Sequence, residues 1–511
     1  MRMIRFALTA LALLMALPVN AQEEDKGFLT RKIQELLSSA GREVDISGFE
    51  GALSSAASFD RMTISDAEGI WLTLEDVVLD WNRSALLRGA LEVSELSAAR
   101  IDIARAPIPA EDTLPDAEAT PFTFPQLPEL PVSVAIEALR IEQVILGTPL
   151  LGEAVQLQMN ASATLDDEGL DLAFTADRTD GKRGEFDIKA NLSRANNLLD
   201  LAVMLSEQEG GLAATLLNIP ENPAVDLTVK TNGPLEQLVT DLRLITDGEE
   251  RLAGEVELIT QGDADDPDRR IIADIGGDFT AVILPQYRDF FGRQVSLKAD
   301  ALMAASGAVT VENLALQAAA VDLKGRFALS DAGWPEFVDV EGTVARADGA
   351  PVLLPGGGGD TTVDRIALNV DFDASEGDAY EAVFDITGLE TAAAAIDQTT
   401  LRSTGTLRGA QGNVGQLRGM VQFAAAGVEM ADAALAEAVG SQIEGSTEIN
   451  YLADQPFRLT NLDLQGGDYS LRGDAGFSGV GTGLETTIDA VLSSTNLSRF
   501  SALAGRELDG A

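Results

Sequence analysis

The segment DFDASEGD at 371–378 places Asp371, Asp373 and Ser375 where the first, third and fifth oxygen ligands of a calcium loop would stand. Such a loop also needs a glycine at its sixth position and a bidentate glutamate at its twelfth. Here those positions hold Glu376 and Ala382, so the segment reads as a turn between strands. DADDPD at 263–268 is acidic but has no ligand spacing, and reads as a solvated loop. GGGG at 356–359 is followed by Asp360, not by the Gly-Lys-Ser/Thr of a phosphate loop. GVGTG at 479–483 lacks the strand and helix that flank a dinucleotide site. With 82 Asp and Glu on the chain, two neighbouring carboxylates are weak grounds for a glycosidase pair, and aromatics at 5% leave little to stack against a sugar. The chain has neither Cys nor His, so a thiolate nucleophile, a His metal ligand and a His-based triad are all impossible. The expectation is a protein that is not an enzyme and that carries no metal and no cofactor.

Charge narrows the partners. Lys and Arg number 36 against those 82 acids, a formal net charge of −46. Such a chain repels nucleic acid, whose phosphates demand clustered cations. It is equally unsuited to a broad electrostatic contact with anionic lipid. Yet 45% of its residues are hydrophobic, so a large apolar surface must be buried or sheltered.

The N-terminus, MRMIRFALTALALLMALPVNAQEED, has Arg2 and Arg5, an apolar run from Phe6 to Val19, and a small-residue triplet Val19-Asn20-Ala21. Residues 1–21 read as a signal peptide or signal anchor, which exports the rest of the chain. The apolar run is short against the roughly 20 residues of a membrane span. No later segment is apolar enough to cross a bilayer.

The elements follow from periodicity. GFLTRKIQELLSSA at 27–40 sets Phe28, Leu29, Ile33, Leu36, Leu37 and Ala40 on one helical face, with Gly41 as its stop. This short amphipathic helix is suited to cap the first edge of a sheet. From Glu43 the period changes to two. Ile70, Leu72 and Leu74 alternate with polar residues, then Val77, Leu79 and Trp81 take over one step out of phase, which predicts a turn or bulge near Glu75-Asp76. SALLRG reads as a helical turn stopped by Gly89. Leu91 and Val93 resume a strand, and Ile101 and Ile103 lie in another. Residues 106–131 hold seven of the chain's eighteen prolines and read as a linker or insertion between a β module at 22–105 and a region at 132–511.

In the later region, VQLQMNASATL alternates without a fault: Val155, Leu157, Met159, Ala161, Ala163 and Leu165 against Gln156, Gln158, Asn160, Ser162 and Thr164. One face must be wet and the other sheltered. Similar strands recur at Phe186–Leu192, Leu199–Leu205, Val225–Val229 and Val363–Phe372, separated by turn signals such as DDEG, TDGK, TDGEE and SEGD. NLALQAAAVDLKGRFALS at 313–330 aligns without gaps to NLDLQGGDYSLRGDAGFS at 461–478. Two like hairpins therefore lie 148 residues apart, 313 against 461, which signals a repetitive architecture. Strands every ~12 residues, stacked at ~4.8 Å, would reach up to ~190 Å.

Three stretches of the N-terminal block carry a family likeness: the helix before EVDISGFEGALSS, the run RMTISDAEGIWLTLEDVVLDWNRSALLRG, and LSAARIDIAR. Together they resemble the N-terminal region of the TamB family of the translocation and assembly module, within the AsmA-like group. NPAVDLTVKTNGPLEQLVTDLRL and ILPQYRDFFG look like that family's middle region, so the likeness covers most of the chain. The resemblance implies a mainly β fold, an elongated, repetitive sheet rolled into an open apolar groove. It implies an inner-membrane anchor at the N-terminus and a body in the periplasm. The expected partners are a TamA-like outer-membrane barrel and phospholipid, with unfolded outer-membrane proteins as a further cargo. The expected function is protein secretion and outer-membrane biogenesis through phospholipid carriage along the groove. The alternative is a periplasmic scaffold that presents unfolded strands to a barrel insertase. The family's C-terminal domain does not precede Ala511, which suggests a fragment. On this reading Val155, Leu157, Met159, Leu165, Leu199, Leu201, Val203 and Leu205 line the groove, while Gln156 and Gln158 face outward.

Overall fold

The computed structural model of the chain describes residues 43–51, 55–108, 133–262, 267–356, 361–409, 415–453, 455–478 and 485–510. The expected signal at 1–21, the helix at 27–40, most of the proline-rich segment, most of GGGG and all of GVGTG lie outside the described residues. The fold is mainly β, with few and short helices. It divides into two compact units, the first ending at Glu249 and the second beginning at Glu250.

The first unit contains strands β1 (Glu43–Ser47), β2 (Ala56–Asp66), β3 (Gly69–Asn82), β4 (Ala90–Ile103), β5 (Ser133–Leu146), β6 (Val155–Leu165), β7 (Gly169–Arg178), β8 (Gly184–Ser193), β9 (Leu198–Glu207), β10 (Val225–Pro234) and β11 (Gln237–Thr246). Each pairs antiparallel with the next, except that β4 and β5 run parallel, Ala90 opposite Ser133 and Ile103 opposite Leu146. A parallel pair needs a crossover connection rather than a hairpin. The proline-rich segment supplies it, so it joins two hydrogen-bonded strands. The sheet does not close on itself: among the described residues, β1 pairs with β2 and not with β11.

Two details of β3 and β4 show how the alternation is managed. The phase change at Glu75-Asp76 is present, but as a kink within one continuous strand. Asp76 takes left-handed backbone (φ 51°), and Leu74 and Val77 on either side of it join the same apolar cluster. Leu91, Val93, Ile101 and Ile103, read above as two strands, lie on the single strand β4. The interruption is a bulge: Trp81 pairs with Val93 and Asp80 with Glu95, which leaves Ser94 unpaired. An extra residue shifts the phase by one, so Leu91, Val93 and Ala98 are all buried on one side. The helical turn is where the sequence puts it, Arg83–Leu86, with the Asn82 side chain accepting from the Ser84 amide.

The second unit contains β12 (Glu249–Gly262), β13 (Pro267–Gly277), β14 (Val295–Met303), β15 (Val309–Gln317), β16 (Val321–Leu329), β17 (Pro335–Ala345), the short pair β18 (Val352–Leu353) and β19 (Thr362–Val363), then β20 (Arg365–Asp373), β21 (Ala379–Glu390), β22 (Ala394–Arg408), β23 (Gln416–Met430), β24 (Gln442–Leu452), β25 (Phe457–Gln465), β26 (Tyr469–Ser478) and β27 (Glu485–Ser494). All pairs are antiparallel, and β17 pairs directly with β20. The long connections at 278–294, 346–361, 431–441 and 495–505 follow β13, β17, β23 and β27, so they leave the same edge of this unit's sheet. Tight turns at 304–308, 330–334 and 374–378 lie on the opposite edge.

The internal repeat survives as geometry. In β15–β16 Leu314 faces Gly325 and Leu316 faces Leu323, with a register shift between Val311 and Leu314. In β25–β26 Leu462 faces Gly473 and Leu464 faces Leu471, with the shift between Leu459 and Leu462. Register and bulge therefore recur at the spacing of the sequence match. The TDGEE turn shows why its residues matter: Asp247 and Gly248 both take positive φ (51° and 79°), backbone that Gly adopts freely and Asp tolerates better than most residues.

Candidate functional site

Residues opposite one another on antiparallel strands point to the same face, so register alone traces a surface across many strands. In the first unit Met159 pairs with Ala176, Ala161 with Phe174, Ala163 with Leu172 and Leu165 with Leu170. The line continues into β8 through Leu172–Ala190, Phe174–Ile188 and Ala176–Phe186. In β9 it meets Leu199, Leu201, Val203 and Leu205, opposite Leu192, Ala190, Ile188 and Phe186. Val203 and Leu205 pair in turn with Val229 and Leu227, and these with Leu242 and Leu244. One apolar face thus spans six strands, and it holds all eight residues that the sequence assigned to a groove. The other face presents Gln158, Asp177, Glu185, Lys189, Asp200, Lys230 and Asp241.

The eight are not equivalent. Val155 and Leu157 are buried, 0% and 8% exposed, in a cluster with Val77, Ala98, Ile141, Val144 and Leu212. Here the face is packed shut under the helix Leu212–Leu216. Met159, Leu165, Leu199, Leu201, Val203 and Leu205 are only half-buried, so they line a surface without being filled over. Gln158 is exposed, while Gln156 is half-buried and accepts from the Gln143 amide nitrogen at 3.0 Å.

Where the apolar face ends, ionised groups take its place. Leu157 pairs with Arg178, and Gly184 with Glu207, so both charges stand on the lined face. The Arg178 and Glu207 side chains are 1% and 0% exposed and lie 3.5 Å apart. Arg178 also donates to Asp180 at 2.8 Å and Glu153 at 3.2 Å, and Lys182 donates to Glu153 at 2.6 Å. Glu207 accepts the Ala213 amide at 2.6 Å, which pins the covering helix to the sheet. Gly184 leaves room for this pairing: a Cβ there would meet Arg178 Cδ at 2.6 Å. Burial pulls the Arg178 pKa down, but its bonds to Asp180 and Glu153 outweigh that and leave it raised. Lys182 foremost holds Glu153 below its ordinary value, against burial and with help from Arg178. Asp180 is likewise lowered, because Arg178 and two backbone amides overcome its burial. The sequence reading missed this network, although its signal was present. Arg178 follows Leu170, Leu172, Phe174 and Ala176, and Glu207 follows Leu199, Leu201, Val203 and Leu205, each where the alternation calls for an apolar residue.

The second unit repeats the two-faced plan. Ile271, Ala273 and Ile275 pair with Ala301, Ala299 and Leu297, which pair with Val311, Leu314 and Leu316. Further on, Val338, Val340 and Val344 face Phe372, Val370 and Ile366. The opposite face carries ion pairs between neighbouring strands: Lys298–Asp274 at 2.9 Å, Lys324–Glu341 at 2.6 Å and Arg472–Asp463 at 3.1 Å. The candidate calcium segment is a turn. Asp373 Oδ1 accepts from the Ser375 amide and hydroxyl at 2.8 and 2.6 Å, bonds that lower its pKa. Among the described residues no group of acids is arranged to hold a metal ion, and no helix is long and apolar enough to cross a membrane.

Against known families, residues 11–508 match the model of the YdbH-like family, described as intermembrane phospholipid transport protein YdbH. No curated protein and no solved structure matches the chain. The match spans nearly the whole sequence, and the chain belongs to the YdbH-like family, an AsmA-like family of bridge-type lipid transfer proteins.

Proposed function

With membership of the YdbH-like family as the premise, we propose that the half-buried apolar face is the path along which phospholipid acyl chains travel between membranes. The observation that carries this reading is the cross-strand register. From β6 to β11 most apolar residues of this face meet apolar partners across the ladders, with exceptions such as Leu157 opposite Arg178 and Leu201 opposite Thr231, and most of them remain half-open. A closed core would have filled that face with its own side chains. Each CH₂ kept out of water is worth about 0.8 kcal/mol, so a ~16-carbon chain needs roughly 12 kcal/mol of shelter to leave a bilayer. Only a lining that is apolar from strand to strand offers this at every step. The chain's own residues supply shelter and direction, with no bond made or broken, so the protein acts as a carrier and not as an enzyme.

The test is a photo-cross-linking residue placed at Val203 and, separately, at Ala202, which belongs to the opposite face. Lipid adducts identified by mass spectrometry should form at position 203 and not at 202. Equal labelling at both, or none at 203 while the protein is folded, would overturn the reading. The N-terminal likeness supports two finer statements within the same proposal: an anchor in the inner membrane, and a TamA-like barrel at the outer membrane that links the chain to outer-membrane protein assembly. N-terminal sequencing of the mature protein tests the first. Co-purification with such a barrel from solubilised envelopes tests the second.

A further inference from the structure

In the second unit, aromatic side chains meet where the ladder alone would keep them apart. Trp334 stands at the start of β17, and Tyr451 near the end of β24, both on the edge that carries the tight turns. Five ladder steps separate the two strands (β17–β20, β20–β21, β21–β22, β22–β23 and β23–β24), which is ~24 Å along a flat sheet. Yet the rings are stacked with centroids 6.0 Å apart, and Tyr451 in turn lies 6.4 Å from Phe457. Here the sheet is curled so far that one edge meets itself.

Tyr451 belongs to the lined face, because it pairs with Leu417, and Leu417 pairs with Leu407. The neighbouring pair on that face is Gly419 with Ile449. The contact therefore lies on the apolar side and bridges it. Trp334 is held for the purpose by a tight turn. Its carbonyl accepts from the Ser330 amide at 2.8 Å, and its own amide donates to Ser330 Oγ at 3.2 Å. Gly415, just before β23, makes room: a Cβ there would stand 1.7 Å from Trp334 Cε2. Beside the bridge the lined face carries glycines whose space is taken by a neighbouring ring. Gly405 faces Gly419 across the ladder, and Tyr380 lies across them with its hydroxyl 2.8 Å from Ser403 Oγ.

We propose that the Trp334–Tyr451 contact is a gate: it shuts the apolar path of this unit along one edge, and its rings must part for an acyl chain to enter or leave the path through that edge. The inference rests on the conduit reading above and adds a moving part to it. Stacked rings joined by no hydrogen bond or ion pair can separate and re-form, whereas the strands on either side are fixed by their ladders.

The chain contains no Cys, so a Trp334→Cys, Tyr451→Cys double variant has two thiols and no others. A bismaleimide with a reducible spacer can join them. Phospholipid transfer between donor and acceptor vesicles is measured before joining, after joining, and after the spacer is cleaved. The expected result is a loss of about tenfold or more on joining, with recovery on cleavage. Transfer that is unchanged by the clamp overturns the gate and leaves the conduit standing. If the unmodified protein moves no lipid, the conduit reading falls and the gate with it. A second measurement does not depend on transfer. The chain has three Trp residues, and phospholipid with brominated acyl chains should quench a fluorescence component that Trp334→Phe removes. Equal quenching of both proteins overturns the gate.

Discussion

Val203→Asp and Ala202→Asp put the same charge on adjacent residues of β9 and on opposite faces of the sheet. Val203 pairs with Ile188 and Val229, so an aspartate there has only apolar neighbours across both ladders. Ala202 pairs with Lys189 and Lys230, so an aspartate there lies between two cations. A carboxylate in a hydrocarbon-like setting costs on the order of 2.5–3.5 kcal/mol. If an acyl chain must pass over it, a barrier raised by that amount slows transfer by about a hundredfold. At position 202 each exposed ion pair adds at most about 1 kcal/mol, in the stabilising direction, and transfer should stay within about twofold of the parent. The assay is lipid transfer between fluorescent donor and unlabelled acceptor vesicles, with far-ultraviolet circular dichroism to show that both variants keep their sheet. Val203 is only half-buried, so its aspartate variant should fold. A folded Val203→Asp protein that transfers lipid at the parent rate would refute the argument, since the face would then be wet and the cargo path elsewhere.

Leu157→Asp should instead unfold the first unit, since Leu157 is 8% exposed inside a packed cluster; the expected sign is a lost or early thermal transition, not a folded protein that fails to transfer. Arg178→Ala should cost about 3–5 kcal/mol by leaving Glu207 buried without its partner, whereas Arg178→Met with Glu207→Leu should lose much less, as urea midpoints of the three proteins would show. Acid should weaken the same unit: Glu153 and Asp180 lie below their ordinary values of 4.5 and 3.8, so their stabilisation is full above those values and is lost as pH falls through the lowered ones. Glu153→Gln should make the urea midpoint less sensitive to pH below about 4.5, and an unchanged acid limb would contradict the assignment.

Much of this was legible in the residues because a β-strand has the simplest code, a period of two. VQLQMNASATL became β6 from Val155 to Leu165 with no residue gained or lost, and its apolar set became one face. The code fails where the ladder adds a residue. Ser94 has nothing in its chemistry to announce a bulge, so one strand read as two. It also cannot say which stretches of an apolar face are closed over. Leu157 and Val203 are equivalent as letters, and what separates them is the helix Leu212–Leu216 more than fifty positions beyond Leu157 and Arg178 on the neighbouring strand. The contact between Trp334 and Tyr451 was beyond reach altogether, because it depends on curl summed over five ladder steps.

That curl also accounts for where the second unit keeps its helices. A twisted sheet gathered at one edge is spread at the other, and spread strand ends expose apolar side chains that tight turns cannot cover. The long connections leave the spread edge, and they are welded there to neighbouring turns. Phe290 and Phe291 accept amides from Ala320 and Ala319, both at 3.0 Å, and Phe290 packs against a cluster of Ala320, Val352 and Val363. Further along, Ala438 packs with Tyr469 and Phe500, and the Tyr469 hydroxyl donates to the Val439 carbonyl at 3.0 Å. Phe290 and Ala438 are 148 positions apart, as are Val352 and Phe500, the offset that relates residue 313 to residue 461. No identity marks these two positions, since Phe290 stands where Ala438 does and Val352 where Phe500 does. A large residue in one copy is set against a small one in the next, so the space is filled in both by different means. The repeat has been kept as a volume and a register after the letters changed, as close packing allows when total volume is conserved.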